Sequence, residues 1–339
     1  MADVLAARRK LILAKKEANA GTAESGIAAA DAILVSEATL TPLTGGTVDR
    51  DVIRSFFGNS DAYPINSHSQ IEFTVELAGG NIATGQAITP PPWNKLLGAC
   101  GFAETIGKIV QADAQNNKAT YTPKTGSEDA LTIQADWDKN RQQLVGCRGN
   151  VSLSLVHGQI PRLRFSFLGQ YAAPAQRAQG DVASGSYGSW QAPRPGTKVD
   201  TPTFELMGVT DKLSLRSFEL DMGVEVIYRS GMGAGAEECI IIASRAPSGT
   251  IVVDATSLSD FNPFTKAKAG DTGALKIVHG GADIGANQKK AKLIEINCPK
   301  VQLQEPSYGE DEGIIQWSIP FRPLPNGASG NDEVEIIVR

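Results

Sequence analysis

The chain has 339 residues, 41% of them aliphatic, aromatic or Cys, which is enough to bury two cores and excludes wholesale disorder. Its longest apolar stretches are a few residues, far short of the roughly 20 a membrane helix needs, and the opening MADVLAARRKLILAKKEANAG lacks a signal-peptide core, so a soluble, non-exported protein is expected. Net charge is −5; basic and acidic residues balance at sixteen each through position 175, the excess lies beyond, and neither part has the basic stripe of a nucleic-acid grip.

Residues 2–19 have helix-forming composition, with Leu5, Ile12 and Leu13 among Arg8, Arg9, Lys10, Lys15 and Lys16. They fit an amphipathic helix or an arm docked on a neighbour. Strand signals begin at Ala32 with AILVSEATL. SQIEFTVEL then alternates, with Ile71, Phe73, Val75 and Leu77 on one face and Gln70, Glu72, Thr74 and Glu76 on the other. Residues 43–68 between them are too long for a plain hairpin turn. TPPPWNKLLGACGFAETI predicts a short helix, capped by Thr89 and ended by Gly101, with Trp93, Leu96, Leu97 and Cys100 as its apolar stripe. Strands follow at ATYTP, ALTIQADW, NVSLSLV and IPRLRFSFLG, the last two joined by a tight turn at His157-Gly158-Gln159.

Residues 175–200 are rich in Ala, Gly, Ser, Gln and Pro and read as a linker or surface arm. Strands resume at LSLRSFELDMGVEVIYRS, ECIIIASR and GTIVVDA, with a second excursion over about 223–247. A helical candidate, SLSDFNPFTKAKAG, precedes ALKIVHG, AKLIEIN, KVQLQ, GIIQWSIPF and EVEIIVR. Each half thus runs strand, long excursion, strand, short helix, then several strands. VSLSL parallels VQLQE, and LRFSF parallels IQWSI. The reading is mainly β: an N-terminal arm or helix over 1–31, β-rich domains over 32–174 and 201–339, and the linker between them.

No catalytic constellation is visible. His68, His157 and His279 sit beside turns and form neither HxH nor HExxH. The four cysteines, Cys100, Cys147, Cys239 and Cys298, include no close pair and read as reduced, buried thiols. GMGAGA at 231–236 lies in an excursion, not between a strand and a helix, and reads as a loop tip. The acidic runs Glu310-Asp311-Glu312 and Asp332-Glu333-Glu335 lack the spacing of a calcium loop. Met207, Met222 and Met232 read as packing.

Four stretches carry a likeness: LAARRKLILAKKEANAGTAESGIAAADAILV at the start, KLLGACGFAETI at 95–106, GCRGNVSLSLVHGQIPRLRFSFLGQYAAP at 146–174, and IQWSIPFRPLPNGASGNDEVEIIVR at the end. In this order they resemble the major tail tube proteins of long-tailed bacteriophages. The resemblance implies two tandem tail-tube β-sandwich or barrel domains, each with a short flanking helix. In that family six such domains close a ring whose inner sheets form one continuous barrel, and rings stack into the tail through which the genome is ejected. Two domains per chain would make the ring a pseudo-sixfold trimer.

The resemblance further implies a structural virion protein, not an enzyme, with no cofactor or metal. Its partners would be itself, the tail terminator, the tape measure and the tail-tip proteins, with double-stranded DNA passing unbound and no membrane contact. It would belong to the virion tail and assemble in the bacterial cytoplasm. Gln70, Glu72, Thr74, Glu76, Ser152, Ser154, Gln302 and Gln304 are the candidate lumen residues, outer solvent being their other placement. Asp49, Arg50, Asp51, Arg54, Phe56, Phe57, Tyr228 and Arg229 are the candidate inter-ring contacts, a plain surface loop being the other reading. Rival readings are the tube of a contractile injection system or tailocin, and a carbohydrate-binding host-recognition β-sandwich. The second would need an aromatic platform or calcium loop, and aromatics are 6%.

Overall fold

The computed structural model describes residues 8–80, 88–107, 118–177, 184–233, 236–280 and 293–339. The first half contains β1 (Lys10–Lys16), β2 (Ala32–Ile33), β3 (Val35–Asp49), β4 (Ala62–Glu76), α1 (Asn94–Ala99), β5 (Phe102–Ile106), β6 (Ala119–Pro123), β7 (Leu131–Trp137), β8 (Asn140–Val156), β9 (Arg162–Tyr171) and β10 (Ala175–Gln176). The second contains β11 (Thr203–Leu206), β12 (Leu215–Asp221), β13 (Val224–Arg229), β14 (Cys239–Arg245), β15 (Ser248–Asp254), α2 (Pro263–Ala269), β16 (Thr272–His279), β17 (Ile294–Leu303), β18 (Ser307–Asp311), β19 (Ile314–Pro323) and β20 (Glu335–Val338).

Alternation drives the strands. In β9, Leu163, Phe165 and Phe167 are buried while Arg162 and Arg164 stay exposed; each buried side chain contributes about 1.5–3 kcal/mol by leaving water. The Phe73 ring lies 5.9 Å from Phe165 and 5.7 Å from Phe167. Phe218, Trp317 and Phe321 continue the same core into the second half.

One layer is an antiparallel run in the order β3-β4-β9-β8-β12-β15-β19-β17. Strand β8 joins the halves. Its start pairs with β7 (Trp137 with Asn140) and its end with β12 (Val156 with Ser217). Further pairings extend the network as β2-β1-β7-β8 and as β11-β16-β17-β20-β6-β5.

The two halves use the same strand order. The first runs β3-β4-β9-β8-β7-β1 and the second β12-β15-β19-β17-β16-β11. A shared bulge fixes the alignment. Ser36 is the extra residue where Val35 and Glu37 face Val75 and Thr74, and Arg216 is the extra residue where Leu215 and Ser217 face Val253 and Val252. Beyond the bulges each first strand runs into a hairpin arm, arm 1 over residues 43–68 and arm 2 over residues 223–247.

Several sequence expectations are corrected. Lys10–Lys16 is a strand, not a helix: Leu11 to Ala14 are all buried, and pairing with β7 and β2 overrides helix propensity. Glu17 locks its end, accepting from the Thr132 hydroxyl and the Gly146 and Gly21 amides, each at 2.8 Å. Residues 1–7 of that segment lie outside the described residues. Helix α1 starts later than Thr89, with Trp93 at its N-cap and no side-chain cap. The predicted stripe is buried, and the helix ends before Gly101 at φ +80°, so residues 102–106 leave as β5. Much of the 43–68 excursion is strand, paired as far as Asp49 with Ala62. The acidic run at Glu310-Asp311 lies in a strand that the sequence reading did not assign, Ser307–Asp311, which pairs with β19. In α2, Asn262 accepts from the Thr265 amide at 3.0 Å, and Pro263 opens the helix.

The 175–200 segment is partly docked: Trp190 donates to the Ala32 carbonyl at 3.3 Å and Ser186 to the Ala29 carbonyl at 2.8 Å. Residues 178–183 within it, and 234–235 of the GMGAGA run, lie outside the described residues.

Candidate functional site

The exposed face of the eight-stranded layer is polar because every second residue of its strands points away from the core. Its cross-strand neighbours form two rows. In one, Glu76 faces Arg162, then come Ser154, Glu219, Thr250 and Pro320, and the Gln304 amide bonds the Pro320 carbonyl. In the other, Glu37, Thr74, Arg164, Ser152, Asp221 and Ser248 follow one another, and Gln302 faces Arg322 at the far edge. Gln70 and Glu72 lie on β4 next to the second row. All eight polar residues selected from sequence alternation therefore share one face, in which Thr74 is itself buried by its neighbours. Gln302 also donates its side-chain amide to the Gly270 carbonyl at 3.3 Å, at the end of α2.

Sequence reasoning missed the charges among them. Glu37, Glu219 and Asp221 add to Glu72 and Glu76, and Arg162, Arg164 and Arg322 oppose them. The alternation of RLRF and FELD holds that signal. Arg164 meets Glu72 at 2.7 Å and Arg162 lies 3.9 Å from Glu37. The bond to Glu72 raises the Arg164 pKa and holds the guanidinium charged. Asn150 donates to Asp221 at 2.7 Å.

The arms differ. Arm 1 projects with its end uncovered: Phe56 is 65% exposed, Ile53 103% and Phe57 107%. The Arg54 guanidinium lies 5.9 Å from the Phe56 ring. Asp49, Arg50 and Asp51 are exposed at its neck. Arm 2 folds back over β8, β9 and β4. Tyr228 stacks on His68 at 5.3 Å, and burial together with Glu238 pushes its hydroxyl up to about 12. The Arg148 guanidinium donates to the Ile240 carbonyl, and Ser230 donates to Asn66 at 2.7 Å. Tyr228 is thus engaged inside its own chain, whereas Arg229 is exposed.

The acidic runs and His279 have structural partners. Asp311 pairs with Arg216 at 2.7 Å and Glu333 with Arg245 at 2.7 Å. Asp332 accepts the Asn326 and Gly327 amides. His279 is buried, bonded to the Thr201 hydroxyl at 3.0 Å and the Arg194 carbonyl at 3.1 Å. Burial raises the thiols of Cys100, Cys147 and Cys298, while Cys239 is half-buried. Among the described residues no group of three or more His, Cys, Asp or Glu is placed to hold a metal, and no helix is long and apolar enough to cross a membrane.

A mainly β chain with a polar sheet face, sheet edges unpaired among the described residues and a projecting arm has the parts of a self-assembling shell. The family model for phage tail tube proteins matches residues 7–323, nearly the whole chain. The chain belongs to the phage tail tube protein family. No curated protein matches it. As a phage tail tube protein it is a structural component of the virion tail and assembles with itself into a tube.

Proposed function

We propose that residues 32–174 and 201–339 are two tube domains and that three chains close a pseudo-sixfold ring. Rings stack into the channel through which the genome enters the host. The observation that carries this reading is the joint inside the chain, where β8 of one half and β12 of the other continue a single sheet. That joint leaves two complementary edges. Residues 35–41 of β3 pair only with β4 among the described residues, and β18, exposed throughout, pairs only with β19. Free edges invite association, and a closed ring removes them.

The shared strand order predicts the register of the joint between chains. Thr39 corresponds to Glu219 and Gly309 to Ser154, so Thr39 faces Gly309 of the next chain as Glu219 faces Ser154. Leu40 then meets Tyr308, which is 63% exposed in the single chain.

In this ring the polar face lines the bore, apart from its far edge at Gln302, Gln304 and Arg322, which turns toward the neighbouring chain. Duplex DNA carries a charge about every 1.7 Å of its axis, so exposed guanidiniums would hold it. Carboxylates outnumber them here and pair with Arg164 and Arg162. The end of arm 1, residues 50–61, reaches the next ring and buries Ile53, Phe56 and Phe57. Tail terminator, tape measure and tail-tip proteins bound the tube, which assembles in the host cytoplasm.

Electron microscopy of the concentrated protein and of virions tests the reading. Threefold rings with six similar lobes are expected. True sixfold rings would refute two tube domains per chain, and a virion tail built of another protein would refute the function.

A further inference from the structure

Arm 2 shows how an arm of this fold is seated, and arm 1 has no seat among the described residues of its own chain. Aligned on the bulges at Ser36 and Arg216, Val48 takes the place of Tyr228. Their cross-strand partners, Tyr63 and Ile240, then correspond, as do Ile65 and Ile242. In arm 2 this underside is covered: Ile240 is 2% exposed, Ile242 packs on the core and Tyr228 stacks on His68. In arm 1 it is bare, with Val48 51%, Tyr63 56% and Ile65 41% exposed.

The same registers locate the missing seat. Arm 2 rests on His68, Arg148 and Gln170 of the first half. The corresponding positions of the second half are Ala246, Gln302 and Leu324. There the surface carries an open groove of about 510 Å³, lined by Ala246, Pro247, Gln304, Arg322 and Pro323 among others. Ala246 belongs to both sets, Leu324 stands between the lining residues Pro323 and Pro325 and Gln302 faces the lining residue Arg322, and no described residue of the same chain fills the groove.

We infer that this groove receives the stem of arm 1 from a second copy of the chain within the same ring. The inference rests on the ring reading and adds a second lateral contact beside the sheet joint. Val48, Tyr63 and Ile65 are buried by the neighbour. Only residues 50–61 remain free for the next ring, so lateral closure sets the direction in which the arm end points.

The test uses the full chain with Cys239→Ser and the pair Val48→Cys with Ala246→Cys, treated as assembled tubes with a short bis-maleimide. The expected product is a covalent ladder that stops at three chains, with each single-cysteine variant unlinked. A ladder running past three puts the stem in the next ring and overturns the seat. A second pair, Thr39→Cys with Gly309→Cys, reports the sheet joint. If that pair links and the arm pair does not, the seat is wrong and the ring stands; if neither links, both fall.

Discussion

Arg164 on β9 reaches across the polar face to Glu72 on β4, Nη2 to Oε2 at 2.7 Å. The pair is exposed enough that its net worth to stability is below about 1 kcal/mol. Its larger effect is on the field of the face, because it prevents a guanidinium from standing alone toward a passing phosphate. Replacing Glu72 and Glu76 together by Lys is therefore expected to leave rings intact and to cut infectivity about tenfold or more, as phosphates are held in the bore. Higher salt during ejection should restore part of the loss. Normal plating efficiency from virions carrying both changes would remove this face from the bore.

The end of arm 1 bears the most exposed apolar side chains of the chain's described part, Ile53 and Phe57. The last hairpin pair is Asp49 with Ala62, so residues 50–61 can be replaced by Asn-Gly, the pair favoured in two-residue hairpin turns. The shortened protein should fold with a stability change of less than about 1 kcal/mol, since the excised segment is surface. Rings should form but not stack. Full-length tubes in negative-stain micrographs would exclude the bridging role.

Gly223 is the hinge by which arm 2 leaves β12. Its φ is +56°, and a Cβ there would stand 2.3 Å from the Ala246 carbonyl oxygen. Gly223→Ala should cost about 1–3 kcal/mol in urea unfolding, from left-handed strain plus the clash. Because the clash lies at the root of the arm, protease cleavage within 224–245 should also rise. An unchanged denaturation midpoint would show that the backbone relaxes there at no cost.

The sheet face was legible in the sequence and the seams were not. Ile71 to Glu76 and Leu163 to Phe167 alternate so strictly that their faces follow from periodicity alone. Lys10–Lys16 misleads because it is buried on both sides, and an apolar run without alternation does not separate strand from helix. The β8·β12 joint links residues far apart in the chain through backbone bonds, which leave no side-chain signature. The pairing of Arg164 with Glu72 depends on register, which single-strand patterns do not report. Ser307–Asp311 is exposed throughout and shows no alternation, so its pairing with β19 leaves no periodic signal in the sequence.

His279 gives the fold a pH dependence of known sign. It is 2% exposed at the end of β16, held between the Thr201 hydroxyl and the carbonyl of Arg194 in the connecting segment. Burial lowers its pKa from the ordinary 6.5, and the Arg194 carbonyl and the Asp200 charge oppose that shift without cancelling it. The unfolded chain therefore takes up the proton first as the medium is acidified. The stability contributed by neutral His279 is complete above about pH 6.5 and declines as pH falls toward its folded value. His279→Gln keeps a donor for the Arg194 carbonyl and removes the titration, so it should flatten the urea midpoint between about pH 5 and 7. Midpoint curves that run parallel for the two proteins across this range would show that His279 takes up its proton equally well in the folded and unfolded chain.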